Sequence, residues 1–312
     1  MKLLKWLAVG LFAILFLIIL WVMTLHWRNH NESTHFNEQV MQQAPGDYVK
    51  LTAGQTHYQR YGSSGDWVVL VHGFSIPATA WGDIPSRLAE QGFRVLTFDL
   101  YGRGYSERPD IPYTGALYEQ QVIELLNALN INDPVHIVGL SMGGAVATRA
   151  AAQHPERFAR VGLVAPLHEP ILPPGIPAGL GYYMVSAFYI PMLEQGLADE
   201  SVSAEITASL VESYQHQREI RGFTRALTSS IYNFTPDNHS RFYQQLRDQQ
   251  KPVWLAWGTA DTTVPFVLNE AVRSDAGVLD RHFEVFEGAG HMPHLEHPVR
   301  FSQALSTFLH GN

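Results

Sequence analysis

Short apolar runs recur along the chain, separated by stretches with helical patterning. Residues 67–71 (Trp-Val-Val-Leu-Val), 93–98, 134–138, 161–165, 253–257 and 283–286 are four to six residues long and rich in β-branched or aromatic side chains. Runs of that length and composition predict buried strands. Residues 79–91, 115–130 and 299–309, and the small-residue stretch 145–152 that ends before Pro155, read as helices. Strands and helices that alternate in this way predict an α/β fold, a mostly parallel sheet with helices on both faces. Ahead of it, residues 48–51 and 56–61 alternate around Ala53-Gly54 and predict a hairpin.

The rhythm breaks after residue 166. Pro170, Pro173, Pro174, Pro177 and Pro191 surround an aromatic-rich stretch at 182–190, and helical patterning returns over about 203–227. This predicts an inserted helical cap, residues 167–236, over the strand ends of a core built from 47–166 and 237–312. Its side chains Tyr182, Met184 and Phe188 are candidate substrate contacts. Two readings of this apolar stretch stand at this level, a pocket for acyl chains and simple packing of the cap on the core.

The first 28 residues differ from everything that follows. Trp6 to Leu25 is an uncharged, mostly apolar run of about 20 residues, the length that crosses a bilayer. Trp6, Trp21 and Trp27 stand near its ends, where interfacial aromatics are favoured. A cleaved signal peptide would have a shorter apolar region and a small-x-small exit, whereas the exit here is Trp21-Val22-Met23-Thr24-Leu25-His26-Trp27. The expectation is an uncleaved transmembrane anchor at 1–28. Lys2 and Lys5 before the span, against Arg28 just after it, orient the folded domain outside the cytoplasm, the periplasm in a bacterium. Residues 29–46 are polar and read as a short stalk.

Composition narrows the chemistry. The 312 residues are 46% hydrophobic, enough for a sizeable core, and a formal charge of −8 speaks against nucleic-acid binding. There is no cysteine, which excludes disulfides, thiolate catalysis and Cys-ligated zinc. The chemistry left to such a chain centres on Gly139-Leu140-Ser141-Met142-Gly143-Gly144, which sits between a predicted strand and a predicted helix. Gly-x-Ser-x-Gly in that context is a nucleophile elbow: small flanking residues allow a sharp turn that exposes a serine at the strand end, beside the N–H groups of a helix start. Serine needs a base and an orienting acid. Asp261 follows one predicted strand and His291 follows the last, so all three fall on the same edge of the sheet. The oxyanion donors are expected to be the N–H groups of Met142 and of Phe74, the latter in the loop after His72-Gly73. His72 itself reads as structural rather than catalytic. His291, His294 and His297 recur every third residue, but Pro293 and Pro298 interrupt the helix that a metal site would need.

His72-Gly73-Phe74, Asp99-Leu100-Tyr101-Gly102-Arg103-Gly104-Tyr105-Ser106, 139–144, Gly258-Thr259-Ala260-Asp261 and Gly288-Ala289-Gly290-His291 together resemble the α/β-hydrolase superfamily. The chain order Ser, Asp, His is that of its triad. A capped domain on an N-terminal anchor resembles monoacylglycerol lipases of the anchored type. The elbow also resembles those of enol-lactonases, carbon–carbon bond hydrolases and perhydrolases, and it departs from the aspartate elbows of haloalkane dehalogenases and epoxide hydrolases. The resemblance implies a serine ester hydrolase that forms an acyl-enzyme on Ser141. The expected substrate is a small-molecule or lipid ester, with a carbon–carbon bond hydrolase or lactonase as the alternative. No cofactor, metal, nucleic acid or obligatory protein partner is implied, and the membrane is engaged through the first helix.

Overall fold

The computed structural model describes residues 2–197 and 203–311. Helix α1 (Lys2–Asn29) carries the apolar run, with its side chains exposed over most of its length. It is long and apolar enough to cross a membrane, a property it shares with signal sequences. A short helix α2 (Glu38–Gln43) follows, capped by Asn37 Oδ1, which accepts from Val40 N at 3.1 Å.

Eight strands form one sheet. They are β1 (Asp47–Lys50), β2 (Gln55–Tyr61), β3 (Trp67–Val71), β4 (Arg94–Phe98), β5 (Val135–Leu140), β6 (Phe158–Val164), β7 (Val253–Gly258) and β8 (Phe283–Phe286), in the order β1-β2-β4-β3-β5-β6-β7-β8. The predicted hairpin is the β1–β2 pair, and β2 also runs antiparallel to β4; every other neighbour pair is parallel. Strand β5, which ends at the elbow, is buried at every position, as expected of a parallel strand covered on both faces.

Alternate strand residues serve two cores. Val69, Val71 and Leu96 pack under α4 (Gly115–Ala128) and α5 (Met142–Gln153), together with α10 (Ser240–Asp248) and α11 (Asn269–Ala276). Val68, Leu70 and Val95 pack on the other face under α3 (Ile84–Glu90) and the last two helices, the short α12 (Pro293–Glu296) and α13 (Pro298–Leu309). The single helix expected over 79–91 is a 3-10 turn, Ala78–Trp81, followed by α3, because Gly82 between them takes φ +53°.

Between β6 and β7 the chain leaves the sheet. It forms α6 (Ala178–Met184), a π-helical segment Val185–Tyr189, α7 (Ile190–Gly196), α8 (Ala204–Glu219) and α9 (Phe223–Asn233). The helix expected over 203–227 is two helices, because Gly222 adopts a left-handed φ of 96°. Pro191 has no N–H to offer the carbonyl four residues back, Ala187, and that carbonyl accepts from Asn29 Nδ2 at 2.9 Å.

The segment read as a stalk lies against this cap. Thr34 bridges Ile220, and Arg218 Nη2 donates to Asn29 O at 2.9 Å. Both carboxylate oxygens of Glu32 accept backbone N–H groups at the start of α9, from Gly222 and Thr224, each at 2.6 Å.

Candidate active site

The elbow forms because no side chain larger than hydrogen fits around it. A Cβ on Gly139 would sit 2.2 Å from Gly143 O, and one on Gly143 would sit 2.3 Å from both Val71 O and His72 O. The absence of both lets the end of β5 fold onto the start of α5 and under β3. Ser141 pivots between them at φ 54° and ψ −121°, a region that side chains other than glycine rarely adopt. Its backbone is over-determined: Ser141 N donates to Val164 O, and Ser141 O accepts from Gly144 N and Leu167 N, all at 2.9 Å. Strain held in this way at a strand end is characteristic of a functional turn.

Asp261 and His291 are brought together by another glycine. A Cβ on Gly258, the last residue of β7, would collide with Ala289 O and Gly290 O at 2.2 Å, so its absence lets the loop after β8 close onto the turn after β7. Ala260 N then donates to Ala289 O at 2.9 Å, and Gly290 N to Glu296 Oε1 at 2.7 Å. Asp261 is anchored at its own end of the turn, Oδ1 accepting from Thr263 N at 2.9 Å and Val264 N at 2.8 Å. Its other oxygen, Oδ2, lies 2.8 Å from His291 Nδ1. A carboxylate can only accept, so Nδ1 carries a proton, and in the neutral ring the basic lone pair is then on Nε2.

Ser141 and His291 line one wall of a cavity of about 670 Å³ beneath the cap. Phe74 and Met142 line it too. Met142 is the first residue of α5, so its N–H has no carbonyl one turn earlier in the helix to bond. Three potential roles thus meet at one surface, hydroxyl nucleophile, imidazole base and backbone N–H groups beside the serine, with the orienting carboxylate buried behind the imidazole. That set can carry acyl transfer through a tetrahedral oxyanion.

The structure separates the three cap residues. Met184 and Phe188 line the cavity, along with Gly181 and Met192 one or two turns away on the same helical face. Tyr182 does not line it. It lies on another face of α6, and its hydroxyl is 2.9 Å from His30 Nε2. The other candidate histidines have backbone partners or packing roles. His72 is fully buried; its Nε2 accepts from Leu100 N at 2.9 Å and its Nδ1 donates to Gly73 O at 2.8 Å. Burial pushes its pKa down to about 4, so it is neutral and ties the 73–76 loop to the end of β4. His294 donates to Ala80 O at 2.7 Å, and His297 stacks on Phe286.

Several positioning residues were not apparent from the sequence. The loop bearing Phe74 is held by its carbonyls: Arg103 Nε donates to Phe74 O at 2.7 Å, and Gln217 Nε2 of α8 donates to Ser75 O at 2.5 Å. The Arg103 guanidinium is fully buried and also donates from Nη2 to Ser230 Oγ of α9 at 3.0 Å. Asp99 accepts from Ala78 N at 2.8 Å and Tyr105 N at 2.9 Å, joining the same loop to the 99–106 turn. It is paired with buried His57, whose Nδ1 is 2.8 Å away. Burial alone would lower the His57 pKa, but the Asp99 charge and hydrogen bond outweigh it and raise the value. The one available signal was the cluster of polar residues in 99–106, of which Asp99, Arg103 and Ser106 bond partners remote in sequence.

A parallel sheet with a strained serine between strand and helix, and a His–Asp pair on the same sheet edge, defines a hydrolase of the α/β type. The chain belongs to the alpha/beta hydrolase family, whose model matches residues 68–304. A 2-hydroxy-6-oxononadienedioate/2-hydroxy-6-oxononatrienedioate hydrolase of Paraburkholderia phymatum is 28% identical over 286 residues, covering 85% of this chain and 96% of that protein. An uncharacterized protein of Mycobacterium tuberculosis is 26% identical over 274 residues, covering 80% of this chain and 77% of that one. Among solved structures, an enol-lactonase from Burkholderia xenovorans superposes with a TM-score of 0.69 at 21% identity, covering 85% of this chain and all of that one. An esterase from Exiguobacterium antarcticum superposes with a TM-score of 0.70 at 19% identity, covering 86% of this chain and all of that one. At these identities the structures speak for the fold alone.

Proposed function

We propose that the protein is a serine hydrolase of uncharged, lipophilic esters such as monoacylglycerols. In this reading Ser141 attacks the acyl carbonyl while His291, oriented by Asp261, takes its proton and later delivers it to the leaving alcohol. Water then releases the acyl group. The N–H groups of Phe74 and Met142 hold the oxyanion, and no cofactor takes part. Helix α1 anchors the domain in a membrane with the site outside the cytoplasm, and neither nucleic acid nor a second protein is required.

The observation that carries the reading is the lining of the cavity. Leu140, Leu167, Ile171, Leu172, Val185 and Leu193 are typical of it, and among the described residues it contains no lysine, arginine, aspartate or glutamate. Arg103 lies behind Phe74 and does not line it. An acyl chain gains roughly 0.8 kcal/mol for each methylene buried in such a space. A dianion such as the nonadienedioate of the relatives' names would enter it without a counter-charge, which is costly.

The second reading, a carbon–carbon bond hydrolase or lactonase with the same residues, is favoured by those relatives' names. One panel separates the two: monoacylglycerols and p-nitrophenyl esters from short to long chain in detergent, a ring-cleavage dienedioate, and an enol-lactone, each with Ser141→Ala as control. The ester reading expects the highest kcat/KM on medium or long uncharged esters, abolished in the variant. Higher turnover of the dienedioate or the lactone would replace it with the second reading.

A further inference from the structure

The cap carries a segment with an unusual exposed surface. Residues 170–193 contain no Asp, Glu, Lys, Arg or His, whereas at the chain's 16% charged content a stretch of 24 residues would carry about four charges. Nor is the segment hidden. Leu172 is 78% exposed, Leu180 59%, Ile171 57% and Met192 55%. Three of these four also line the candidate cavity, so the apolar surface surrounds its mouth.

The same segment is where α1 docks. Val22, Leu25, His26 and Asn29 form the half-buried stripe of α1, at the spacing of one helical face. Trp21 packs on Phe188 with ring centroids 5.3 Å apart, His26 on Tyr183 at 5.0 Å, and Asn29 bonds the Ala187 carbonyl. The depth of the contact follows from helix geometry. Trp21 precedes the end of the apolar run at Leu25 by four residues, or about 6 Å at 1.5 Å per residue. Phe188 is therefore held about 6 Å inside the level at which α1 leaves its apolar surroundings, within the 5–10 Å that interfacial segments penetrate. Tyr182 and Tyr183 pack on His26, one residue past the end of the apolar run, the level that membrane proteins favour for aromatics with a polar tip.

We infer that the 170–193 edge of the cap is seated in the lipid interface, so that the candidate cavity opens to the acyl region of the bilayer rather than to water. The inference rests on the reading of α1 as a membrane anchor. Its occupant is lipid: the exposed side chains are uncharged, and the surface is continuous with the one helix of membrane-spanning length among the described residues. A substrate already dissolved in the membrane would reach Ser141 by lateral movement.

The cysteine-free chain makes the test direct. Full-length Leu172→Cys and Leu180→Cys variants are labelled with an environment-sensitive fluorophore and reconstituted in phosphatidylcholine vesicles containing 5-doxyl phosphatidylcholine. Ile14→Cys in α1 reports the anchor, and Gln303→Cys, exposed on α13, reports a face away from the cap. Labels at 172 and 180 are expected to be quenched by the lipid nitroxide at least about twofold more than the label at 303, and to be shielded from iodide. Quenching at 14 with none at 172 and 180 overturns the inference and leaves the anchor standing. Shielding from iodide without lipid quenching also overturns it and points to a second copy on this surface. No quenching at any position removes the anchor reading together with the inference. None of these outcomes depends on the substrate, so the ester reading is tested separately.

Discussion

Gly143 and Gly179 are both glycines in helices, with opposite surroundings. A methyl group on Gly143 would meet two backbone oxygens at 2.3 Å, whereas one on Gly179 would meet nothing within 4 Å. Gly143→Ala is therefore expected to lose several kcal/mol of stability or fail to fold, since neither oxygen can move without the sheet. Gly179→Ala should be neutral or stabilising by up to about 1 kcal/mol, because α6 gains helix propensity. Urea midpoints of the two variants decide this, and similar values for both would contradict the packing described for the elbow. Arg103 invites a test of function instead. Its planar group bonds Phe74 O and Ser230 Oγ together, a geometry that an ammonium group does not reproduce. Arg103→Lys is expected to lower kcat about 10- to 100-fold with KM changed less than about threefold, less than the loss typical of removing an oxyanion donor outright. An unchanged kcat, or a rise confined to KM, would assign Arg103 to structure alone. At this scale the candidate serine, acid and base were legible because each follows an apolar run within five residues, and strand ends share one edge of the sheet. Arg103, Gln217 and Glu296 were not, because each hydrogen bond that gives them a role joins segments far apart in sequence or closes an irregular turn. Tyr182 was misplaced for a different reason. An aromatic-rich helix has two faces, and composition does not say which one meets the cavity.

Elements were legible according to how their hydrophobic positions are spaced. The parallel strands stand out as continuous apolar runs because both faces of the sheet are covered. Helix α10 escaped notice because only Phe242, Tyr243 and Leu246 are buried along a largely polar nine-residue segment. The break between α8 and α9 depends on the φ of Gly222, which the amphipathic pattern passes over without a change of phase. The same junction supports a prediction. Glu32 brings a negative charge to the N-terminus of α9 and accepts two N–H groups there, a favourable combination of capping and helix dipole. Glu32→Gln retains one acceptor and loses the charge. It is expected to destabilise the start of α9 by about 0.5–2 kcal/mol, read as faster amide exchange at Gly222 and Thr224 with little change in β5. Equal acceleration in both places would mean that the cap and the core open as one unit.

For the whole molecule, pH is the informative variable. Burial lowers the pKa of His72, His136, His239 and His294 to about 4 in each case. In the unfolded chain these rings take up protons near pH 6.5, so between about pH 6.5 and 4 the unfolded state binds more protons than the folded one. Their contribution to stability is therefore present above pH 6.5 and is lost as the pH falls, each ring adding up to about 1.4 kcal/mol per pH unit in that window. His57, raised by Asp99, acts in the opposite direction: its contribution is present at low pH and is lost as the pH rises through its folded-state value. Four depressed rings outweigh one, so the urea midpoint should fall steadily from pH 7 to pH 5, with a shallower slope in His294→Gln. A flat profile over that range would show that the burial of these rings is not maintained in solution.

The sequence by itself determined the alternation of strands and helices, the position of the elbow, the order of serine, acid and base, and the apolar run of α1. These are local properties, set by side-chain period, by glycine and proline, and by residue type within a few positions. The tertiary structure alone decided that the segment after α1 is bonded to the cap, that Arg103 and Gln217 hold the Phe74 loop, and that the cavity beside Ser141 is lined without a formal charge. Those outcomes depend on which remote surfaces meet, and a one-dimensional pattern carries no information about a contact between Glu32 and Thr224 or between Gly258 and Gly290 until the sheet has brought them together.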